Sequence, residues 1–129
     1  MLNDPLANML SKIKQYDRVG KSICYVRPAT KLTKKILTIL QHHGYIGTFE
    51  ETVAARGGML KVNLLGNING CGVIKPRFAV KNAEFVKFEK RYLPANDFGV
   101  VIVSTPLGIM THKDAKSKGI GGRLLSYCY

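Results

Sequence analysis

Apolar positions along the chain recur with two different periods, about 3.6 residues in some segments and two in others, as helices and strands require. Leu6, Met9, Leu10 and Ile13 form one stripe at helical spacing and predict a first helix over residues 4–16, with Pro5 suited to its opening turn. Lys12 and Lys14 fall off that stripe. A strand over residues 22–27 follows, stopped by Pro28. Thr30 then reads as the N-cap of a second helix, residues 31–43, closed by Gly44. Leu32, Ile36, Ile39 and Leu40 should form its buried face, with Lys31, Lys34, Lys35 and Thr38 together on the other side. Two β runs, residues 45–53 and 59–65, are joined by a turn at Arg56-Gly57-Gly58. This half reads helix-strand-helix-strand-strand, with one parallel crossover and one hairpin.

Turn residues crowd Gly66-Asn67-Ile68-Asn69-Gly70, which is expected to link an N-terminal α/β domain, residues 1–66, to a C-terminal β-rich domain, residues 67–129. Residues 71–80 should be extended, with Pro76 marking an edge or bulge. A short helix over residues 82–92 would turn Phe85, Phe88 and Tyr92 inward and Lys87, Lys90 and Arg91 outward. After a turn at residues 94–97, the run Phe98-Gly99-Val100-Val101-Ile102-Val103 is apolar on both faces and reads as a central strand. Thr111 and Asp114 have capping-box spacing for a short helix ended by Gly119, and residues 124–129 make a last strand. The fold class is α+β: two small packed α/β domains, the second mostly β with short helices.

Charge changes the picture from fold to partner. Twenty Lys and Arg oppose eight Asp and Glu, a formal net charge of +12. Such a surface repels itself unless a polyanion neutralises it. Residues 1–43 carry net +6, residues 44–72 none, residues 73–91 net +4 and residues 92–129 net +2. Lys75 and Arg77 belong to the second basic block. No apolar run is long enough to span a bilayer, which takes roughly 20 residues, and the N-terminus lacks the basic and apolar segments of a signal peptide. Nucleic acid is therefore favoured over a membrane. Cys24, Cys71 and Cys128 are widely spaced with no Cys-x-x-Cys pair, which argues for reduced, buried thiols in the cytosol and against a zinc site.

The stretch STPLGIMTHKDAKSKGIGG, residues 104–122, concentrates the candidate chemistry. Ser104, His112 and Asp114 supply the residue types of a hydrolytic triad, but His112 and Asp114 would point about 200° apart on one helix. Gly20-Lys21-Ser22 ends like a phosphate-binding loop, yet Gln15 stands where that loop needs glycine. Leu124 replaces the third glycine of a dinucleotide fingerprint. No catalytic residue, metal, cofactor or small-molecule substrate is expected. As an RNA grip the same residues fit without strain. Ser104 and Thr105, on a loop after a rigid strand, can bond phosphate, ribose hydroxyls and base edges. Gly108 permits close backbone approach, and Thr111 opens a helix whose N–H groups can face phosphate. Lys113, Lys116 and Lys118 add charge, while Gly121 and Gly122 could press bare backbone into a groove. The plainer alternative is a strand-turn-helix with ordinary caps, and for the Lys31, Lys34, Lys35 row a solvated helix face.

The run GVVIVSTPLGIMTHKDAK, residues 99–116, resembles the signature of the universal small-subunit ribosomal protein eight family. RPATKL (27–32), HGYIGTFE (43–50), NINGCGVIKPRF (67–78), LPANDFG (93–99) and the aromatic end after Gly121-Gly122 resemble its cytosolic eukaryotic and archaeal branch, the fifteen-A type. The resemblance covers nearly the whole chain. It implies a non-catalytic protein of the cytoplasmic small ribosomal subunit that binds the central domain of small-subunit rRNA, supports assembly and translation, and meets neighbouring small-subunit ribosomal proteins. It also implies RNA contacts from Ser104 and Thr105, with Gly108, Gly121 and Gly122 nearby, and from Thr30-Lys31 on the RNA backbone. Arg123 departs from the Glu of bacterial members and the Lys common in eukaryotic ones, and Pro106 occupies a variable position. A regulatory protein binding a structured mRNA that mimics the rRNA site is the alternative.

Overall fold

Leu6, Met9, Leu10 and Ile13 are all buried on helix α1 (Pro5–Arg18), so the stripe at helical spacing faces the core as expected. The computed structural model describes residues 5–26, 30–52, 58–74, 79–94 and 98–129. Asp4, Pro28, Arg56, Gly57, Lys75, Pro76, Arg77 and the turn at residues 95–97 lie outside the described residues. Chain contacts divide the molecule into two units, Met1–Gly70 and Cys71–Tyr129.

In the first unit α1 is followed by β1 (Ile23–Val26), α2 (Lys31–His42), β2 (Ile46–Thr52) and β3 (Met59–Leu64). The sheet order is β1-β3-β2, and both pairings are antiparallel. The expected crossover therefore does not place β1 beside β2. The two strands run the same way, but β3 folds back between them and supplies the hydrogen bonds to each. Cys24, Val26, Leu60, Val62 and Leu64 alternate along β1 and β3 as the buried face. Burying each such Val or Leu contributes roughly 1.5–3 kcal/mol.

Helix α2 starts as predicted, with the Thr30 hydroxyl accepting from the Thr33 N–H at 3.2 Å. Its buried face is turned from the expected one. Thr33, Ile36, Leu37 and Leu40 are inside, whereas Leu32 and Ile39 are only partly covered. Thr33 can go inside because its hydroxyl is satisfied locally, accepting from the Thr30 N–H at 3.0 Å and donating to the Thr30 carbonyl at 2.9 Å. Helix α1 runs two residues beyond the expected end, closed by Gly20 at φ +82°, and its last turn carries Asp17. Its buried carboxylate accepts the N–H of Gly66 at 2.9 Å and of Ile68 at 3.3 Å. Asn67 also donates to the Gly44 carbonyl at 2.9 Å. The turn-rich segment 66–70 is thereby tied to the first unit.

The second unit contains β4 (Cys71–Val73), β5 (Ala79–Val80), a 3₁₀ turn (Asn82–Glu84) running into α3 (Phe85–Tyr92), β6 (Val100–Thr105), β7 (Gly108–Thr111), α4 (His112–Ser117) and β8 (Gly122–Cys128). The order β4-β8-β6-β7 puts β8 and β6 in the middle, and β5 also pairs with β8. Its core gathers Ile74, Phe85, Phe88, Val101, Val103 and Leu124, so Phe85 and Phe88 point inward as predicted. Tyr92 is only half-buried and stacks on Tyr127, with Tyr127 stacking in turn on Tyr129, at centroid distances of 5.5 and 6.2 Å. Strand β7 is not visible in the sequence pattern. Phe98, expected inside the central strand, precedes it and is half exposed. The three cysteines are buried thiols.

Candidate nucleic-acid interface

Ser104 and Thr105 sit at the end of β6, not on a loop after it, because β7 pairs with them in the register Ser104↔Ile109 and Thr105↔Gly108. Only Pro106 and Leu107 form the turn. Period-two alternation sends the two hydroxyls to opposite faces. Thr105 is buried, its hydroxyl donating to the Gly108 carbonyl at 2.7 Å and accepting from the Leu107 N–H at 3.2 Å. It shapes the hairpin. Gly108, at φ +126°, closes the turn in a conformation that favours glycine. Ser104 faces out and is exposed.

Beside Ser104 lies an open groove of about 470 Å³. Ser104, Thr105 and Pro106 line it together with Ala79, Val80, Lys81 and Glu84, and Gly121, Gly122 and Arg123 complete it. The register explains the arrangement: Arg123 pairs with Ala79 of β5 and with Ser104 of β6, so three strands converge there. A Cβ on Gly121 would run into the Val80 carbonyl, and one on Gly122 into the Ser104 carbonyl. The two glycines are thus required by strand packing within the sheet itself, and they leave bare backbone in the groove. Lys81 and Arg123 are exposed and form no ion pair among the described residues. Glu84 is the acidic lining residue, accepting the Lys81 N–H at 3.1 Å. The groove therefore offers an exposed hydroxyl, unscreened peptide groups and two cations against one carboxylate.

The other candidates from this half lie elsewhere. Thr111 caps α4, accepting from the Asp114 N–H at 3.3 Å, and is itself buried. Lys113 is exposed on α4. Lys116 points back to pair with Glu89, a carboxylate buried on α3. His112 is buried, with Nδ1 accepting the Val101 N–H at 3.1 Å and Nε2 lying 3.6 Å from the same Glu89 oxygen. The imidazole thus faces Val101 and Glu89, while Asp114 is exposed at the start of α4. Ser104, Thr105, Gly121, Gly122 and Arg123 converge on the groove; Gly108, Thr111, Lys113 and Lys116 do not line it. Lys75 and Arg77 lie outside the described residues. Lys81, Glu84 and the buried Glu89 were missed by sequence reasoning. Lys81 was visible only as a charge in a basic block, since nothing local predicts that β5 pairs with β8.

In the first unit, Thr30, Lys31, Lys34 and Lys35 open α2. Lys31 and Lys35 are exposed, whereas Lys34 forms an ion pair with Glu51 of β2 at 2.7 Å. The lysine row is therefore two outward charges and one neutralised one. Among the described residues there is no cluster of three or more potential metal-ligating side chains, and no helix is long and apolar enough to cross a membrane. Compared with known protein families, residues 4–129 match the model described as Ribosomal protein S8.

Proposed function

The chain belongs to the ribosomal protein S8 family, rRNA-binding structural components of the small ribosomal subunit that act in translation, and from that premise we propose that it holds the central domain of small-subunit rRNA in its folded shape during subunit assembly. The setting is the cytoplasmic subunit, where neighbouring ribosomal proteins share the same RNA. The observation that carries this reading is the groove beside Ser104, where a hydroxyl, bare backbone and the cations Lys81 and Arg123 meet.

The parts have different tasks. Ser104 donates to and accepts from a ribose hydroxyl or base edge, which carries shape and sequence information. Thr105 and Gly108 fix the hairpin that presents it. Gly121 and Gly122 let the RNA backbone approach the sheet. Arg123 and Lys81 supply phosphate contacts, as do Lys113 of α4 and, on the first unit, Lys31 and Lys35 with Thr30. Thr111 and Lys116 act by positioning α4. No bond is made or broken, so the work of this surface is equilibrium binding.

The test compares a central-domain rRNA fragment with random RNA of equal length. One hydrogen bond is worth about 0.5–1.5 kcal/mol net, so Ser104→Ala is expected to weaken the rRNA fragment by about two- to tenfold. Random RNA should be unaffected, since no charge changes. Arg123→Gln should weaken both. Equal losses on the two RNAs for Ser104→Ala would remove recognition from the groove. A central-domain fragment bound no better than random RNA would remove the domain assignment itself.

A further inference from the structure

Cys71 and Cys128 are direct partners across β4 and β8, in the register Cys71↔Cys128, Gly72↔Tyr127, Val73↔Ser126. Both are buried thiols, on the same face of the sheet. The ladder tells which kind of pair they form. One step further along, the Ile74 N–H donates to the Leu125 carbonyl at 3.0 Å. Antiparallel ladders alternate, so Ile74/Leu125 and Gly72/Tyr127 are hydrogen-bonded positions, while Val73/Ser126 and Cys71/Cys128 are non-hydrogen-bonded ones. Side chains lie closest at the latter, where Cα atoms are about 4.5 Å apart. That separation falls inside the disulfide window of about 4.4–6.8 Å, near its short end.

We propose that Cys71 and Cys128 are a modification site: a cross-strand dithiol that a peroxide converts reversibly to a disulfide, fastening the first strand of the second unit to its last. In the first step the thiolate of one cysteine attacks a peroxide oxygen. The O–O bond breaks, and the products are a sulfenic acid and, after one proton is taken up, water. In the second step the partner thiol attacks the sulfenic sulfur, forming the S–S bond and releasing the oxygen as a second water. Two thiols and one hydrogen peroxide thus give one disulfide and two waters.

Access comes from position. Strand β4 lies at the sheet edge and is three residues long, with Cys71 its first residue, and Cys128 is the last residue of β8. A short edge strand opens at low cost, so release of β4 alone uncovers the sulfur of Cys71 and the side of β8 that carries Cys128, while β8 stays paired with β6 through Val100↔Cys128. Bridging Cα atoms near the short limit leaves strain, which makes a disulfide easier to reduce and suits a reversible bond. Cys24 does not compete: it lies on β1 in the other unit, and the residue opposite it across the ladder is Val62, so no second thiol stands there to close a disulfide.

The experiment treats the native, reduced protein with one equivalent of hydrogen peroxide at neutral pH, alkylates what remains reduced, and maps peptides without reductant. The expected product is monomeric, lacks two hydrogens, links the peptides holding Cys71 and Cys128, and keeps Cys24 alkylated. A small thiol should reverse it. Closing a loop that spans nearly the whole second unit should also raise the melting temperature by several degrees. Cys71→Ala and Cys128→Ala should each abolish both the link and the rise. A wild-type protein that keeps three alkylatable thiols at a dose that fully oxidises glutathione overturns the proposal. Sulfinic acids, links to Cys24 or links between chains overturn it equally.

Discussion

Gly122 illustrates how one missing side chain sets the geometry of the groove. An added Cβ would meet the Ser104 carbonyl, which is strand backbone and has no rotamer to escape into. Gly122→Ala is therefore expected to push β6 and β8 apart and cost about 1–3 kcal/mol, read as a lower urea midpoint. The rRNA affinity should fall with it, because Ser104 moves. Tyr127 ties stability to pH. Burial first, then the neighbouring Tyr129, Cys71 and Tyr92, raises its phenol above the ordinary value of 10.0. A raised acid favours the neutral form in the folded state. Its contribution is thus complete below the unfolded value and lost as pH rises through the folded one. Cys24, raised above 9.0 chiefly by burial, acts in the same direction from a lower starting point. The urea midpoint should fall as pH rises from about 9, and Tyr127→Phe should reduce the part of the fall above about pH 10. A midpoint that is flat over this range would contradict both assignments.

At the scale of elements, α2 separates surface from core. Lys31→Gln with Lys35→Gln should weaken RNA binding and leave melting within a few degrees, as exposed changes do. Lys34→Gln breaks the ion pair with Glu51, but such partly exposed pairs contribute only about 0–1 kcal/mol. Leu37→Ala should cost roughly 2–5 kcal/mol, and Leu32→Ala clearly less because that side chain is only partly covered. Denaturant unfolding of the two variants checks which face is inside. Helix α1, both threonine caps and the apolar run of β6 were legible because each rests on residues close in sequence. The face of α2 was not, since Thr33 looks polar until its hydroxyl is seen to bond Thr30. Strand β7 was hidden for a related reason. Gly108 and Thr111 read as loop and cap, and only pairing with β6 makes the segment a strand. The groove required knowing that β5 and β6 both meet β8, a long-range fact that no local pattern encodes.

For the molecule as a whole, charge supplies the simplest measurement. With net +12, the logarithm of RNA affinity against that of salt should have a slope on the order of −4 to −7, several phosphates being neutralised. A slope near zero between low and physiological salt would remove the polyanion partner. Lys113→Gln with Arg123→Gln should flatten the slope by about 1–2. The strand orders carry a consequence in time. In the first unit β3 separates β1 from β2, so neither earlier strand has its partner until residue 64 has been made. In the second, β4 and β5 both pair with β8, and β6 has β7 on one side and β8 on the other. A nascent chain halted before Gly122 therefore carries β4 and β5 with unmet backbone groups and β6 with one open edge, a state prone to sticking to other chains. Each sheet closes with the strand translated last, so ribosome pausing inside either unit prolongs an unfinished edge, while completion of β8 seals three strands at once.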